Sequence, residues 1–155
     1  MQVTIRPLQE NDALISYVWR NNPIVWKYTG SRPNKTITYA MEKEWIKNVL
    51  LRINEKRFAI LADKKYVGNT YLTDISNKKA EFHIFIGDSN YWGKGIAGSA
   101  ILEVLSYAKD INLQTIYLEV HQDNIPALRL YHKVGFIKID QKDEMIRMEK
   151  ALNQK

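Results

Sequence analysis

The spacing of apolar and polar residues divides the chain into a series of short elements. Residues 2–7 (QVTIRP) alternate and predict a strand. Asp12 to Asn21 predicts a helix, with Pro23 just beyond it. From Asn22 to Lys35 the pattern breaks into loop, with room for one short turn of helix. Thr38 to Asn54 predicts a longer helix, in which Met41, Trp45, Val49, Leu50 and Ile53 fall on one face. Three β-rich runs follow: Arg57–Ala62, Tyr66–Ile75 and Lys79–Gly87. The short polar turns between them, Asp63-Lys64-Lys65 and Ser76-Asn77-Lys78, imply antiparallel hairpins.

A loop then leads to Trp92, and Gly95 opens the next helix. Its stripe of Ala97, Ala100, Ile101, Val104, Leu105 and Ala108 ends near Asn112. Gln114–His121 is a strand. Asn124–Val134 is a short helix with a capping asparagine, Pro126 in its first turn and Gly135 after its end. Phe136–Asp140 and Glu144–Lys150 form a terminal hairpin. The strand–helix–strand unit from Lys79 to His121 requires a parallel crossover, whereas the other connections are antiparallel. The expected class is α+β: one domain over 1–155, with a mixed, mostly antiparallel sheet. The length of 155 residues suits a single core, and no repeat or low-complexity linker divides it.

Composition narrows the chemistry. The chain has no cysteine, which excludes disulfides, zinc–cysteine sites and a thiol nucleophile. His83, His121 and His132 do not fall at helical ligand spacing, so no metal is expected. The segment MQVTIRPL lacks a basic stretch followed by an apolar run. The apolar runs are far shorter than the ~20 residues that cross a bilayer. A cytoplasmic location without membrane contact is the expectation. The net charge of +6 fits a solvated lysine-rich surface or attraction to an anion. No basic block with interleaved aromatics points to nucleic acid.

The clearest chemical signal is Tyr91-Trp92-Gly93-Lys94-Gly95-Ile96-Ala97-Gly98, which follows a strand and opens a helix. The first turn of a helix leaves backbone N–H groups without partners and carries a positive dipole end. Glycine and alanine there allow close approach, so an anion such as a pyrophosphate fits. A tight strand-to-helix turn accounts for the same residues without a ligand. The P-loop and dinucleotide glycine patterns do not match.

About thirty residues later comes Asn124-x-x-Ala127-x-x-Leu130-Tyr131-x-x-x-Gly135-Phe136. Together the two segments resemble the GNAT superfamily of acetyl-CoA-dependent N-acetyltransferases. The first is similar to its pyrophosphate motif, Gln/Arg-x-x-Gly-x-Gly/Ala, laid on Trp92 to Ala97, with Trp92 in place of Gln or Arg. The Tyr-Trp-Gly-Lys-Gly wording, with Arg6-Pro7-Leu8, is similar to the branch of ribosomal-protein N-terminal and aminosugar acetyltransferases. The resemblance implies helices on both sheet faces and a splayed parallel strand pair, with acetyl-CoA as co-substrate. It implies that Gly93, Lys94, Gly95, Ile96, Ala97 and Gly98 hold the diphosphate. The backbone of Phe85 and Ile86, with Asn124, would hold the pantetheine arm. Tyr131 would be the general acid.

The acceptor is expected to be an amine on a small molecule, an aminosugar among them, or on a peptide; a non-catalytic acyl-CoA binder is the third reading. Nucleic acid is not expected, and the chain is expected to act as monomer or homodimer. An amine attacks only when neutral, and its pKa is near ~10. Glu81 is the first candidate base, with Glu119 second and His83 third; each also reads as an ordinary strand residue. Trp19, Arg20, Asn21, Trp26 and Tyr28 form either an acceptor site or a structural anchor.

Overall fold

Two polar turns build the first half of the sheet. Asp63 and Lys64 have φ of 48° and 73°, and Asn77 and Lys78 have φ of 51° and 63°. Two successive left-handed residues turn the chain with the twist that a tight hairpin needs. They join β2 (Lys56–Ala62), β3 (Lys65–Ser76) and β4 (Lys79–Ile86) into an antiparallel meander, and β1 (Val3–Pro7) pairs antiparallel with β2. The computed structural model describes residues 1–26 and 35–152.

After β4 comes a single 3-10 turn, Ser89–Tyr91, and then helix α4 (Ile96–Asp110). This helix crosses over to β5 (Thr115–His121), which runs parallel to β4. Helix α5 (Ile125–Lys133) and the hairpin β6 (Ile137–Lys142) and β7 (Met145–Ala151) complete the chain. The last strand, β7, lies beside β5, and β6 takes the edge: the order is β1-β2-β3-β4-β5-β7-β6. The predicted element order and the parallel pair are present. The place of the terminal hairpin was not readable from local spacing, which does not distinguish which of its strands meets β5.

Side-chain alternation gives the sheet two covered faces. On one, Ile101, Val104 and Leu105 of α4 pack with Leu72, Phe82, Leu118 and Phe136, and α5 adds Tyr131. On the other, helix α1 (Ala13–Arg20) and helix α3 (Tyr39–Val49) bring Trp19 and Ile46 onto Ala59, Tyr66 and Phe85. A single turn, α2 (Pro23–Trp26), follows α1. No helix among the described residues is long and apolar enough to cross a membrane.

Helix α3 departs from its predicted form. It ends at Val49 rather than Asn54, and its buried positions are Glu42, Ile46 and Val49. Ile53 is 96% exposed, and Trp45 and Leu50 lie outside the core. The reason is a buried carboxylate, which apolar periodicity does not detect. Glu42 accepts hydrogen bonds from the Ser16 hydroxyl at 2.7 Å and the Arg20 guanidinium at 3.1 Å. A charge with two such donors tolerates burial. Trp45 instead lies between the Arg20 and Arg57 guanidiniums, 5.1 and 5.2 Å from its ring.

Trp19 packs on Tyr66 and Phe85 with ring centroids 4.7 and 6.2 Å apart. It also lies over Gly87, where a Cβ would stand 2.0 Å from the indole. Overpacking of this kind costs about 1–3 kcal/mol, and about 2–4 °C of Tm per kcal/mol at this size. Gly87→Ala should therefore lower the calorimetric Tm by roughly 5 °C or more. An unchanged Tm would show that Trp19 has room to move.

Candidate active site

The parallel ladder between β4 and β5 is short. Lys79, Ala80 and Glu81 pair with Thr115, Ile116 and Tyr117, and the pairing stops there. β4 continues beside β3 to Ile86, while β5 stays with β7 as far as His121. The two strands therefore part beyond Glu81, and β4 gains an unpaired edge in the middle of the sheet. The side each backbone group faces can be read from its partners. The Gly87 N–H donates to the Val67 carbonyl, and the His83 carbonyl accepts from Thr70 Oγ1, so odd-numbered residues turn toward β3. The Lys78 carbonyl accepts from Gln114 and Thr115 N–H, so even-numbered residues turn toward β5. The open edge thus carries the backbone of Ile84 and Ile86. Of the pair expected there, Ile86 is correctly turned, but Phe85 pairs with Asn69 on the β3 side.

The glycine turn lies just past the end of this edge. Gly93 and Gly95 have φ of 74° and 79°, and a Cβ at either would meet nothing within 4 Å. This left-handed backbone leaves an open concavity in front of α4. Ile96, Ala97 and Gly98 form the first turn of α4, where N–H groups have no intrahelical partner. Ile96 itself is buried, which anchors the turn, and Gly98 lets α4 approach Leu130 of α5. Lys94 and Lys65 lie 6.0 and 5.1 Å from the neighbouring Tyr91 ring, and Lys65 is also paired with Asp88 at 3.4 Å. Lys65 belongs to the polar turn predicted after β2, and the β2–β3 hairpin brings it here. The donor set and the empty space suit a diphosphate.

Glu81 and Tyr131 sit on opposite faces of the sheet at the point where the ladder ends. Glu81 shares its face with His83 and Tyr117. Tyr131 packs edge-on against Phe82, the next β4 residue, at 6.3 Å, and against Phe136 at 5.9 Å. Burial pushes the Tyr131 phenol up to about 12, so it holds its proton at neutral pH. Burial raises the Glu81 pKa, and the Glu119 and Asp74 carboxylates add to the rise. His83 stacks on Tyr71 at 4.6 Å, bonds Thr73 Oγ1 through Nε2 at 2.9 Å, and lies 3.8 Å from Glu81. Burial, then the Arg57 guanidinium, lowers its pKa to about 4. Asn124 Oδ1 caps α5 by accepting from Ala127 N–H at 3.4 Å.

The face that carries Glu81 is acidic although the protein is basic. Arg57 is paired with Glu55 at 2.7 Å, Arg20 with Glu42 and Arg147 with Glu149. Among the described residues no ion pair engages Asp74 or Glu119. Beside Glu119 a cavity of about 570 Å³ carries Glu119, Asp140, Asp143 and Glu144 against Lys142 and Arg147. The N-terminal aromatic cluster is largely structural. Trp19 is core, Arg20 holds Glu42, and Asn21 bonds both the N–H and the carbonyl of Ile37 at 2.8 Å. Trp26 is half-buried at the end of α2, and Tyr28 lies outside the described residues. No group of three or more His, Asp or Glu among the described residues could hold a metal.

A family model described as an acetyltransferase (GNAT) domain matches residues 2–137. A spermidine N(1)-acetyltransferase of Vibrio cholerae is 33% identical over 141 residues, covering 88% of this chain and 79% of that protein. An uncharacterised protein of Methanocaldococcus jannaschii is 27% identical over 88% of this chain, which spans only 28% of that protein's length. Among solved structures, a spermidine N-acetyltransferase from Vibrio cholerae in complex with CoA and spermine superposes with a TM-score of 0.86 at 27% identity. That match covers 97% of this chain and 96% of the other.

The depressed pKa of His83 is directly measurable. Its ring should titrate near 4 in a proton NMR series and stay neutral from pH 6 to 8. The unfolded chain takes up this proton near pH ~6.5 and the folded one near 4, so folding stability should fall as pH drops through that window. A midpoint near 6.5 would show that the ring is freely solvated.

Proposed function

The chain belongs to the GNAT acetyltransferase family, and from that premise we propose that it acetylates a primary amine of a small, multiply charged cation of the polyamine class. Acetyl-CoA as donor and an amine as acceptor follow from the family. The cationic acceptor rests on one observation: Asp74 and Glu119, which no ion pair engages among the described residues, gather around Glu81 in a protein of net charge +6. A cleft lined by one sign of charge concentrates the opposite sign. It also repels an aminosugar nucleotide, whose diphosphate would approach the same carboxylates, so the polyamine reading is favoured over the aminosugar one. The names of the relatives agree with this choice.

Acetyl-CoA brings a thioester, whose acyl carbon an amine can attack. The residues of this chain divide the remaining work. The amides of the Gly93–Gly98 turn and Lys94 hold the diphosphate, and the free edge at Ile84 and Ile86 pairs with the arm as an added strand would. The acceptor enters on the face of Glu81, which takes the ammonium proton directly or through one water; its raised pKa makes it a stronger base than an exposed carboxylate. Tyr131 waits on the other face with its proton in place and gives it to the departing sulfur. His83, neutral and stacked, lines the acceptor side and is the weaker base.

An amine panel read by release of free thiol tests the acceptor. Spermidine and spermine should exceed a UDP-aminosugar and N-terminal or lysine peptides in kcat/KM by about 100-fold, since like-charge juxtaposition costs several kcal/mol. The advantage should shrink as salt screens the carboxylates. Preference for the aminosugar or a peptide would replace the polyamine reading, and CoA binding without turnover on any amine would make the chain a binder.

Two substitutions test the proton carriers in the same assay. Glu81→Gln should lower kcat/KM by roughly 10²–10⁴ and flatten its acid limb, and Tyr131→Phe should lower kcat by a comparable factor. Affinity for CoA should survive both. Full activity in either variant would remove that residue from the mechanism.

A further inference from the structure

The residue that breaks the family's phosphate motif makes a specific bond. The Trp92 indole Nε1–H donates to the Ile86 carbonyl at 2.7 Å. Ile86 is the last residue of β4, and its carbonyl points to the open side of the strand. The connection between the two residues is tightly folded. Asp88 accepts from Asn90 N–H at 3.0 Å, Tyr91 N–H donates to the Asp88 carbonyl at 3.0 Å, and Trp92 N–H donates to the Ser89 carbonyl at 3.2 Å. Gly93, with its φ of 74°, starts the phosphate turn directly after Trp92. The indole ring is still 43% exposed, so packing alone does not hold it in place.

Resting on the donor assignment above, we propose that Trp92 is a positioning residue. It clamps the phosphate turn to the end of β4 and so fixes the distance between the two grips on one CoA molecule. The turn holds the diphosphate, and the edge holds the arm through the Ile84 backbone and the Ile86 N–H. A ligand gripped at two points gains affinity only if the spacing is held. Because Trp92 occupies the Ile86 carbonyl, the next free acceptor on the edge is the Ile84 carbonyl. Strand rise places it about 7 Å nearer to Glu81 and Tyr131. Trp92 thus acts without touching phosphate: the motif's first position sets the spacing between the turn and the edge.

The test separates the two grips. Trp92→Phe keeps an aromatic ring and removes the donor, and Trp92→Leu removes both ring and donor. Either variant that retains the wild-type circular dichroism spectrum gives the answer. CoA and 3′-phosphoadenosine 5′-diphosphate, which keeps the diphosphate and lacks the arm, are titrated calorimetrically into each protein. Loss of one hydrogen bond is worth about 0.5–1.5 kcal/mol, so CoA affinity should fall about threefold to tenfold. Affinity for the armless diphosphate should change less than about twofold. The KM for acetyl-CoA should rise by the same factor as the loss of CoA affinity, with kcat at saturation little changed. Equal weakening of both ligands would make Trp92 a plain structural support of the turn and overturn the proposal, as would unaltered CoA binding. A wild-type chain that bound neither ligand would overturn the donor assignment itself.

Discussion

An interior strand normally has both edges paired, because an unmade backbone hydrogen bond costs about 1–3 kcal/mol where water is excluded. β4 departs from that rule after Glu81. It is committed to β3 as far as Ile86, β5 is committed to β7 as far as His121, and nothing joins the two beyond Tyr117. Everything at the site is arranged around this gap. Phe82, the first residue past the ladder, takes Tyr131 on one side of the sheet, while Glu81 lies on the other. The glycine turn lies at the far end, and the Trp92 indole fills one of the carbonyl sites left vacant. The gap costs the fold a length of sheet and supplies a slot with backbone donors and acceptors already in place.

The charge pattern adds direction to the slot. Lys65 and Lys94 stand by the glycine turn, and Asp74, Glu81 and Glu119 stand by the far face. On the proposed reading, an anionic donor and a cationic acceptor would be drawn to different ends of the gap. The arginines of that face are paired with Glu55, Glu42 and Glu149, and they offset the polarity only in part, since Arg147 still opposes the rise in the Glu81 pKa. Net charge alone fitted a solvated lysine-rich surface or attraction to an anion, and said nothing of this local reversal.

Much of this was legible in the residues. The two-residue hairpins, the stripe of α4, the Asn124 cap and the glycine turn all depend on local chemistry, and the structure places each within a residue or two of its expected position. The α3 face was misread because Glu42 is buried on two polar partners, one of them twenty-six positions away, while Trp45 is held between arginines. Phe85 was misassigned for a subtler reason. Period-two alternation orders side chains, but which residues turn their backbone to which neighbour depends on register, and register with β3 is a tertiary fact. Lys65 and the Trp92 bond were invisible for the same reason: each depends on a contact between segments, not on spacing within one.

Asn21 has a further consequence. Its side chain bonds both backbone groups of Ile37, so the exit of α1 and the approach to α3 are joined across the intervening stretch by one amide. The ends of that stretch are held independently of what lies between them. Lengthening such a segment costs little, only about 0.6 kcal/mol for each doubling. The segment could therefore change in length while Asn21 keeps the exit of α1 tied to Ile37.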